Sequence, residues 1–423
     1  MHCKTFFVYY TAFFAAWQGL CNIFPEKGYE NRKKSKKSPR NFKLCLEKRT
    51  EMVYTITVKD YRAETAPRNG RVNRMKKMKV AVIGYGGMGG WHVDRILKSD
   101  VAELAGIYDI RRERSELAQS RGIRAYTSLR ELLQDEEIEL VTVAIPNDAH
   151  EDVVVKALNA GKNVICEKPV ALSLESLDRM IAAAEKNGVR FTTHQNRRWD
   201  VDYLAMQKLH DSGELGKVIS LESRVFGSRG IPSDWRCEKV HGGGMLYDWG
   251  IHLIDQALMI FGFDGIESVY CICDHITNKE VDDGFRLDLN FKSGQRATVE
   301  IGTYNFIQMP RFYLRAEKGS ALISDWREEA QVVKCTHWHE SEVLPVETAA
   351  GLTKTMAPRD HITTETYNLP KPASDVHDFY RNFIKSIRGE GEQLVTHAQM
   401  RTDLKVILAA FESAETGKVV KFN

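Results

Sequence analysis

The sequence predicts an α/β chain in which a doubly wound parallel sheet precedes a second, α+β domain built on an open, largely antiparallel sheet. Three observations predict it. From Lys79 to His194, short apolar strands alternate with amphipathic helices, as a parallel sheet covered by crossover helices requires. After Asp202 the period changes to a run of alternating strands, the pattern of a sheet with one open face. Between the first strand and the first helix stands a glycine-punctuated turn, Gly84-Tyr85-Gly86-Gly87-Met88-Gly89.

The elements follow in order. Val80–Gly84 is a β-branched run ending at glycine, hence a strand; Gly89–Lys98 is an amphipathic helix and Glu103–Asp109 the second strand. Arg112–Arg121 and Leu129–Leu133 read as helices. Leu140–Ile145 is apolar without alternation, as a strand buried on both faces must be. Ala149–Ala160 is helical, Asn163–Glu167 a strand, Ser173–Asn187 a helix and Arg190–His194 the fifth strand. Beyond Asp202, Tyr203–Asp211 and the glycine-announced Gly244–Phe261 are helices. Val218–Val225, Ser268–Asp274, Phe285–Lys292, Arg296–Tyr304 and Arg311–Lys318 alternate as strands. Ser341–Leu369 lacks regular pattern and reads as a long loop. Asp375–Ile387 and Ala398–Glu415 close the chain as helices.

At 423 residues the chain is long enough for two domains with sizeable cores. The boundaries read as an extension over 1–76, a nucleotide domain over 77–200, a substrate and oligomerisation domain over 201–374, and C-terminal helices over 375–423 packing back on the body. Of 60 Lys/Arg and 57 Asp/Glu, the first 78 residues hold 18 and 6, leaving 42 and 51 for the rest. The basic surplus lies entirely in the first segment, so the body carries no nucleic-acid footprint. Phe6–Phe24 is an aromatic-rich apolar run, broken by Thr11, Gln18, Gly19 and Asn22 and followed by the basic tract Arg32–Lys37. One reading is a membrane anchor or unusual signal sequence, although the charge follows the apolar run instead of preceding it. The other is an upstream start that adds non-native sequence before a protein beginning near Met75 or Met78. Eight cysteines lack zinc spacing; Cys271 and Cys273 share one face of a strand as a buried thiol pair. A reducing cytoplasm fits that usage.

Gly84, Gly86 and Gly89 follow a strand and open a helix, the context a dinucleotide fingerprint requires. The first permits the tight turn, the second lets backbone approach the pyrophosphate, and the third allows close helix–strand packing. Gly87 and Met88 belong to the same turn, and the helix N-terminus offers free N–H groups to the phosphates. Asp109 ends the next strand, where its carboxylate can accept from both ribose hydroxyls, with Ile110 beside it. Such a carboxylate repels a ribose 2′-phosphate, which favours NAD over NADP. Arg111 and Arg112 are either phosphate partners or solvated first-turn residues. After the third strand, Pro146, Asn147 and His150 are candidates for cofactor contact; Asp148 capping a helix, with His150 on its surface, is the plainer alternative.

Lys168 closes the fourth strand in Glu167-Lys168-Pro169, again on the ligand side. A lysine held between desolvation and polar neighbours can act as acid, base or hydroxyl donor; most lysines at strand ends are simply solvated. Pro169 fixes the turn, with a cis peptide one option. Asp248 and His252 lie four apart on a helix and share a face that Asp255 continues. Leu246, Leu253, Ala257, Ile260 and Phe261 fill the remaining circumference, so this polar stripe faces a pocket. His252 has the intrinsic pKa to take a hydroxyl proton, and Asp248 can orient substrate or imidazole. An Asp–His structural pair is the rival. No third ligand is placed by the sequence, so no metal is expected.

Together, the glycine turn, Glu167-Lys168-Pro169 and the Asp248/His252 pair resemble the Gfo/Idh/MocA family of nicotinamide-dependent oxidoreductases. The likeness covers Lys79 to the C-terminus. It implies a Rossmann domain binding NAD (NADP less favoured), with Lys168, Asp248 and His252 as the catalytic group and Glu167 and Lys168 beside the cofactor. It also implies an open sheet whose free face makes dimers or tetramers. His194-Gln195-Asn196-Arg197-Arg198-Trp199-Asp200 resembles the family's lead into the substrate domain. Asn196 and Arg197 are thus expected at the substrate and Arg198 at the cofactor, with capping and salt-bridging within a loop as the alternative. Trp235 and Arg236 offer an aromatic face and a donor to a sugar ring, or else cap and salt-bridge a loop. The activity implied is oxidation of a secondary hydroxyl of a sugar, glycoside or cyclitol, with C3 of a glycoside as one target. A redox-assisted glycosidase keeping its NAD, or a non-catalytic NAD-binding regulator, are the alternatives.

Overall fold

The computed structural model describes residues 76–337 and 345–422. The expected N-terminal extension, including the apolar run and basic tract, lies outside the described residues. Five strands form a parallel sheet in the order β2-β1-β3-β4-β5: β1 (Met78–Ile83), β2 (Ala102–Tyr108), β3 (Leu140–Val143), β4 (Asn163–Cys166) and β5 (Phe191–Thr193). The chain reverses its direction of travel across the sheet between β1 and β3. In such sheets the crevice beyond the carboxyl ends of the strands at that point receives the ligand. The crossover helices include α1 (Gly87–Ile96), α2 (Arg112–Ser120), α3 (Leu129–Gln134), α4 (His150–Asn159) and α5 (Leu174–Asn187). Ser128 and Ser173 cap α3 and α5 by accepting backbone N–H bonds, and Gly188 ends α5 in the left-handed region, each satisfying end groups that the helix cannot.

After α6 (Val201–Ser212) comes a nine-stranded sheet in the order β15-β12-β11-β10-β6-β9-β8-β7-β16. Its strands are β6 (Val218–Phe226), β7 (Ile266–Asp274), β8 (Gly284–Phe291), β9 (Arg296–Gly302), β10 (Phe312–Ala316), β11 (Gly319–Ile323), β12 (Ala330–Cys335), β15 (Thr364–Leu369) and β16 (Val420–Lys421). Every pairing is antiparallel except β6 with β9. One face is apolar and packs on α6 and α7 (Ile251–Phe261); the other carries Arg224, Ile272, Arg286, Asp288 and Glu300 at alternate positions.

Two expectations needed correction. The stretch read as a loop from Ser341 contains a hairpin, β13 (Val346–Thr348) with β14 (Gly351–Thr353), and the edge strand β15. The hairpin is exposed and β15 half-exposed. Backbone pairing holds them without an apolar stripe, which leaves no periodicity to detect. The regular helix expected over Gly244–Phe261 is instead a π-helical turn (Leu246–Gly250) leading into α7.

The closing helices α8 (Asp378–Ile387) and α9 (His397–Thr416) reach both sheets. Phe379, Tyr380, Phe383 and Ile384 join the core of the parallel sheet with Met400 and Leu404, while Val406, Ile407 and Ala410 join the core under β7–β9. Thr396 and Gln399 form a reciprocal capping box at the start of α9, which fixes the register of that helix. No helix of the described residues is long and apolar enough to cross a membrane.

Candidate active site

The glycine turn is built by close approach. A Cβ on Gly84, whose φ is +89°, would lie 2.2 Å from the Ala144 carbonyl oxygen, and one on Gly89 would lie 1.9 Å from that of Gly84. Only glycine permits this packing of β1, β3 and α1. Gly87 and Met88 are exposed at the helix start, and a Cβ on Gly87 would meet nothing within 4 Å. Asp109 closes the far wall: its carboxylate accepts from the Tyr85 N–H at 2.7 Å and the Arg111 N–H at 2.9 Å. Ile110, next in the chain, and Pro146, after β3, are exposed. This open, N–H-lined cradle with a carboxylate at the β2 end fits a dinucleotide.

Two residues expected there do other work. His150 is fully buried, its ring nitrogens each 3.0 Å from a carbonyl oxygen, those of Ile145 and Pro169. It joins the loops after β3 and β4 from the interior. Asn147 is buried with its amide donating to the Gly242 carbonyl at 3.1 Å, which ties the nucleotide crevice to the loop before the π-turn.

Glu167 also turns inward. Its Oε1 lies 2.8 Å from both His92 Nε2 and His194 Nδ1, and its Oε2 accepts from the Lys168 N–H. Burial opposes its charge, but the adjoining histidines outweigh burial and hold the carboxyl well below the usual carboxylate range. Burial, and then His194, push His92 down. Nε2–H of His92 therefore donates to Glu167. Its Nδ1 accepts from Tyr380, whose hydroxyl also meets Thr142 Oγ1, both at 2.9 Å. Among the described residues, His92, Glu167 and His194 alone gather ligand-type atoms, all within 4.8 Å. Hydrogen bonds within the cluster already employ these atoms.

Lys168, which precedes a cis Lys168–Pro169 peptide, points the other way from Glu167. Its Nζ donates to Asp248 Oδ1 at 2.6 Å and to the Asp248 carbonyl oxygen at 2.8 Å. Arg236 Nε donates to the second oxygen of Asp248 at 3.3 Å and NH1 to Asp234 at 2.8 Å, with its guanidinium over the Trp235 ring. Burial raises the Asp248 carboxyl; Lys168 and Arg236 outweigh it and leave it below the usual range. His252 is buried, and Nδ1 lies 2.9 Å from Gln195 Oε1. Burial first, then the fields of Lys168 and Arg197, push the imidazole well below its ordinary value, so it is neutral at pH 7. The imidazole is thus held by Gln195 and not by Asp248. The π-turn sets those two residues on separate partners.

Arg197 stacks over Trp249 at 4.0 Å, with Trp326 at 5.8 Å, and pairs with Asp200; Trp249 stands edge-on to His252, centroids 6.4 Å apart. Asn196 is half-buried on the same 3-10 turn. Arg198 leaves this group. It forms a bidentate pair with Asp255 at 2.8 and 2.5 Å and also donates to Leu394 O and Gln399. With side chains 4% and 2% exposed, both are enclosed by protein, and the arginine expected at the cofactor pins α7 to the start of α9. Sequence reasoning gave no role to Gln195, Trp326, His92 or His194. Gln195 and His194 stood inside a motif already singled out, but their partners come from elsewhere in the chain.

Known proteins match both domains of the chain. Residues 78–195 match the model of the GFO/IDH/MocA oxidoreductase family, NAD-binding Rossmann fold, and residues 203–322 match the GFO/IDH/MocA C-terminal domain. An NAD-binding protein from Listeria innocua is similar in structure (TM-score 0.79, 40% identity), with 82% of this chain and 100% of that one covered. An uncharacterized oxidoreductase of Schizosaccharomyces pombe is 40% identical over 205 residues, 46% of this chain. The chain spans about half the length of that protein and of a second one from the same yeast, 56% and 46%. The scyllo-inositol 2-dehydrogenase (NADP(+)) of Bacillus subtilis is 28% identical over 353 residues, 82% of this chain and 96% of that one.

Proposed function

This chain belongs to the Gfo/Idh/MocA family of oxidoreductases, and on that premise we propose that it is a nicotinamide-dependent dehydrogenase oxidising a secondary hydroxyl of a cyclitol or sugar. Likeness to the scyllo-inositol 2-dehydrogenase of Bacillus subtilis favours cyclitols over glycosides. A bound nicotinamide dinucleotide supplies the hydride acceptor. The turn Gly84–Gly89 and Asp109 hold it, and Asp109 favours NAD.

The observation that carries the reading is the anchoring of Lys168 on Asp248. Two of the three ammonium donors are spent on Asp248 oxygens, which leaves one for a substrate hydroxyl. That donor polarises the hydroxyl and steadies negative charge on its oxygen as the proton leaves. His252, neutral at pH 7, takes the proton. Asp248 keeps Lys168 charged and aimed, with Arg236 balancing its second oxygen. Arg197 with Trp249, and Trp235 with Arg236, offer flat apolar faces edged by donors, suited to the C–H faces and hydroxyls of a ring substrate. We also propose that a second copy of the chain covers the free face of the nine-stranded sheet.

A panel of cyclitols, sugars and glycosides, followed by NADH or NADPH absorbance with product analysis, tests the activity. Accumulation of reduced cofactor with a keto product is expected. Release of free aglycone without reduced cofactor, or no turnover of any polyol with either cofactor, would overturn it.

A further inference from the structure

We propose that Gln195 locks His252 in the tautomer protonated on Nδ1, so that Nε2 is the nitrogen presented to the substrate proton. The catalytic consequence rests on His252 being the base; the lock itself does not.

The Gln195 amide is engaged at both ends. Its Oε1 lies 2.9 Å from His252 Nδ1, while its Nε2 lies 3.3 Å from the Ile251 carbonyl oxygen and 3.4 Å from Asp403 Oδ2. A backbone carbonyl only accepts hydrogen bonds, whatever the pH. Turning the amide over would set oxygen against oxygen at Ile251, inside a site where Gln195 is 1% exposed and no water can compensate. The amide therefore has one satisfied orientation, and that orientation presents an acceptor to His252. Nδ1 must then carry the hydrogen. A neutral imidazole has only one, so Nε2 keeps its lone pair, and it makes no hydrogen bond to the described residues.

The backbone around Gln195 holds the amide in place. Its N–H donates to the Thr193 carbonyl at 2.9 Å and its own carbonyl accepts from the Arg198 N–H at 3.3 Å. The ionisable groups facing the imidazole are Lys168 and Glu167 beyond β4 and His194 and Arg197 around the 3-10 turn. Asp403 from α9 lies behind the amide. Burial, Lys168, Arg197 and His194 oppose a charge on His252, and only Glu167 favours one. A carboxylate in place of Gln195 would favour the charged ring and narrow the pH range over which it serves as a base. A neutral amide fixes the tautomer without doing so. Gln195 is thus a positioning residue.

The test is nitrogen NMR on the full chain labelled with [15N]histidine, the His252 signals being identified by their loss in His252→Asn. In the wild type at pH 7.5, Nδ1 is expected protonated and Nε2 unprotonated. Gln195→Leu should move His252 toward the Nε2–H tautomer and lower kcat about 10- to 100-fold, with the KM for nucleotide unchanged. Gln195→Glu should keep the Nδ1–H tautomer but move the acid limb of the pH–rate profile upward by about one unit; it also serves if Gln195→Leu does not fold. A wild-type ring protonated on Nε2, or a tautomer unchanged in folded Gln195→Leu, would overturn the lock. The spectra read the tautomer without turnover. A protein that shows the lock yet oxidises no polyol refutes the activity alone.

Discussion

The ammonium of Lys168 lies 2.6 Å from Oδ1 of Asp248, a residue 80 positions later in the chain. The pair joins the end of β4 to the π-turn before α7, and it brings the nucleotide crevice and the second sheet to one place. Both side chains are mostly buried, 15% and 17% exposed, so each depends on the other for its charge.

Lys168→Met should therefore cost activity more than cofactor affinity. We expect kcat to fall by about 10²–10⁴, the range for loss of a positioned proton-handling group, while NAD binding measured by fluorescence quenching changes little. Weaker NAD binding with kcat unchanged would place Lys168 in binding alone.

The depressed pKa of His252 predicts a stability effect with a definite sign. The folded protein keeps the ring neutral, whereas the unfolded chain binds a proton below its ordinary pKa of about 6.5. The unfolded state thus holds more protons in that window, and stability falls as pH drops through it. Urea denaturation of wild type and His252→Gln should give a constant difference above about pH 7.5. Below about pH 6.5 the difference should move toward the variant by ~1.4 kcal/mol per pH unit until the folded pKa is reached. A difference that is flat from pH 7.5 to 5 would mean that the folded ring titrates normally.

Arg198→Leu separates a buried clamp from a cofactor ligand. Removing the guanidinium takes away the buried counter-ion of Asp255, which costs about 3–5 kcal/mol. The loss should appear in thermal or urea unfolding, with NAD affinity of the folded fraction unchanged. Weaker NAD binding at full stability would restore Arg198 to the cofactor site.

Asp109 sets the cofactor preference in our reading. Asp109→Ser removes the charge opposing a 2′-phosphate beside Arg111, and titration with both nucleotides should show the NADP/NAD affinity ratio rise by about tenfold, ~1.4 kcal/mol. An unchanged ratio would assign Asp109 to holding the Tyr85 and Arg111 amides.

Ile272 and Val333 stand exposed on the free face of the nine-stranded sheet. If a second copy covers that face, the Ile272→Glu/Val333→Glu double variant should reduce the mass seen by light scattering while leaving circular dichroism intact. A monomeric wild type would dispose of the idea.

The parts legible in the sequence were those with local causes. Gly84 and Gly89 announce themselves because no other residue fits against the Ala144 and Gly84 carbonyls, and the apolar runs of β1, β3 and β4 follow from burial on both faces. The hairpin β13–β14 and the edge strand β15 were missed because exposed backbone pairing leaves no stripe in the sequence. Arg198 and Arg197 are neighbours in one motif. The 3-10 turn sends the first inward to Asp255 and the second over Trp249.

The sequence by itself thus determined the two sheets, the dinucleotide turn and the short roll of residues from which the site is drawn, because glycine sterics and hydrophobic period act within a few residues. Only the tertiary structure decided which of those residues share a partner. Lys168 is turned to Asp248 and Glu167 to His92 and His194; His252 meets Gln195, and Gln195 meets Asp403, 208 positions away. A hydrogen bond is a matter of tenths of an ångström between side chains that the chain brings together late, and spacing along the chain carries no record of it.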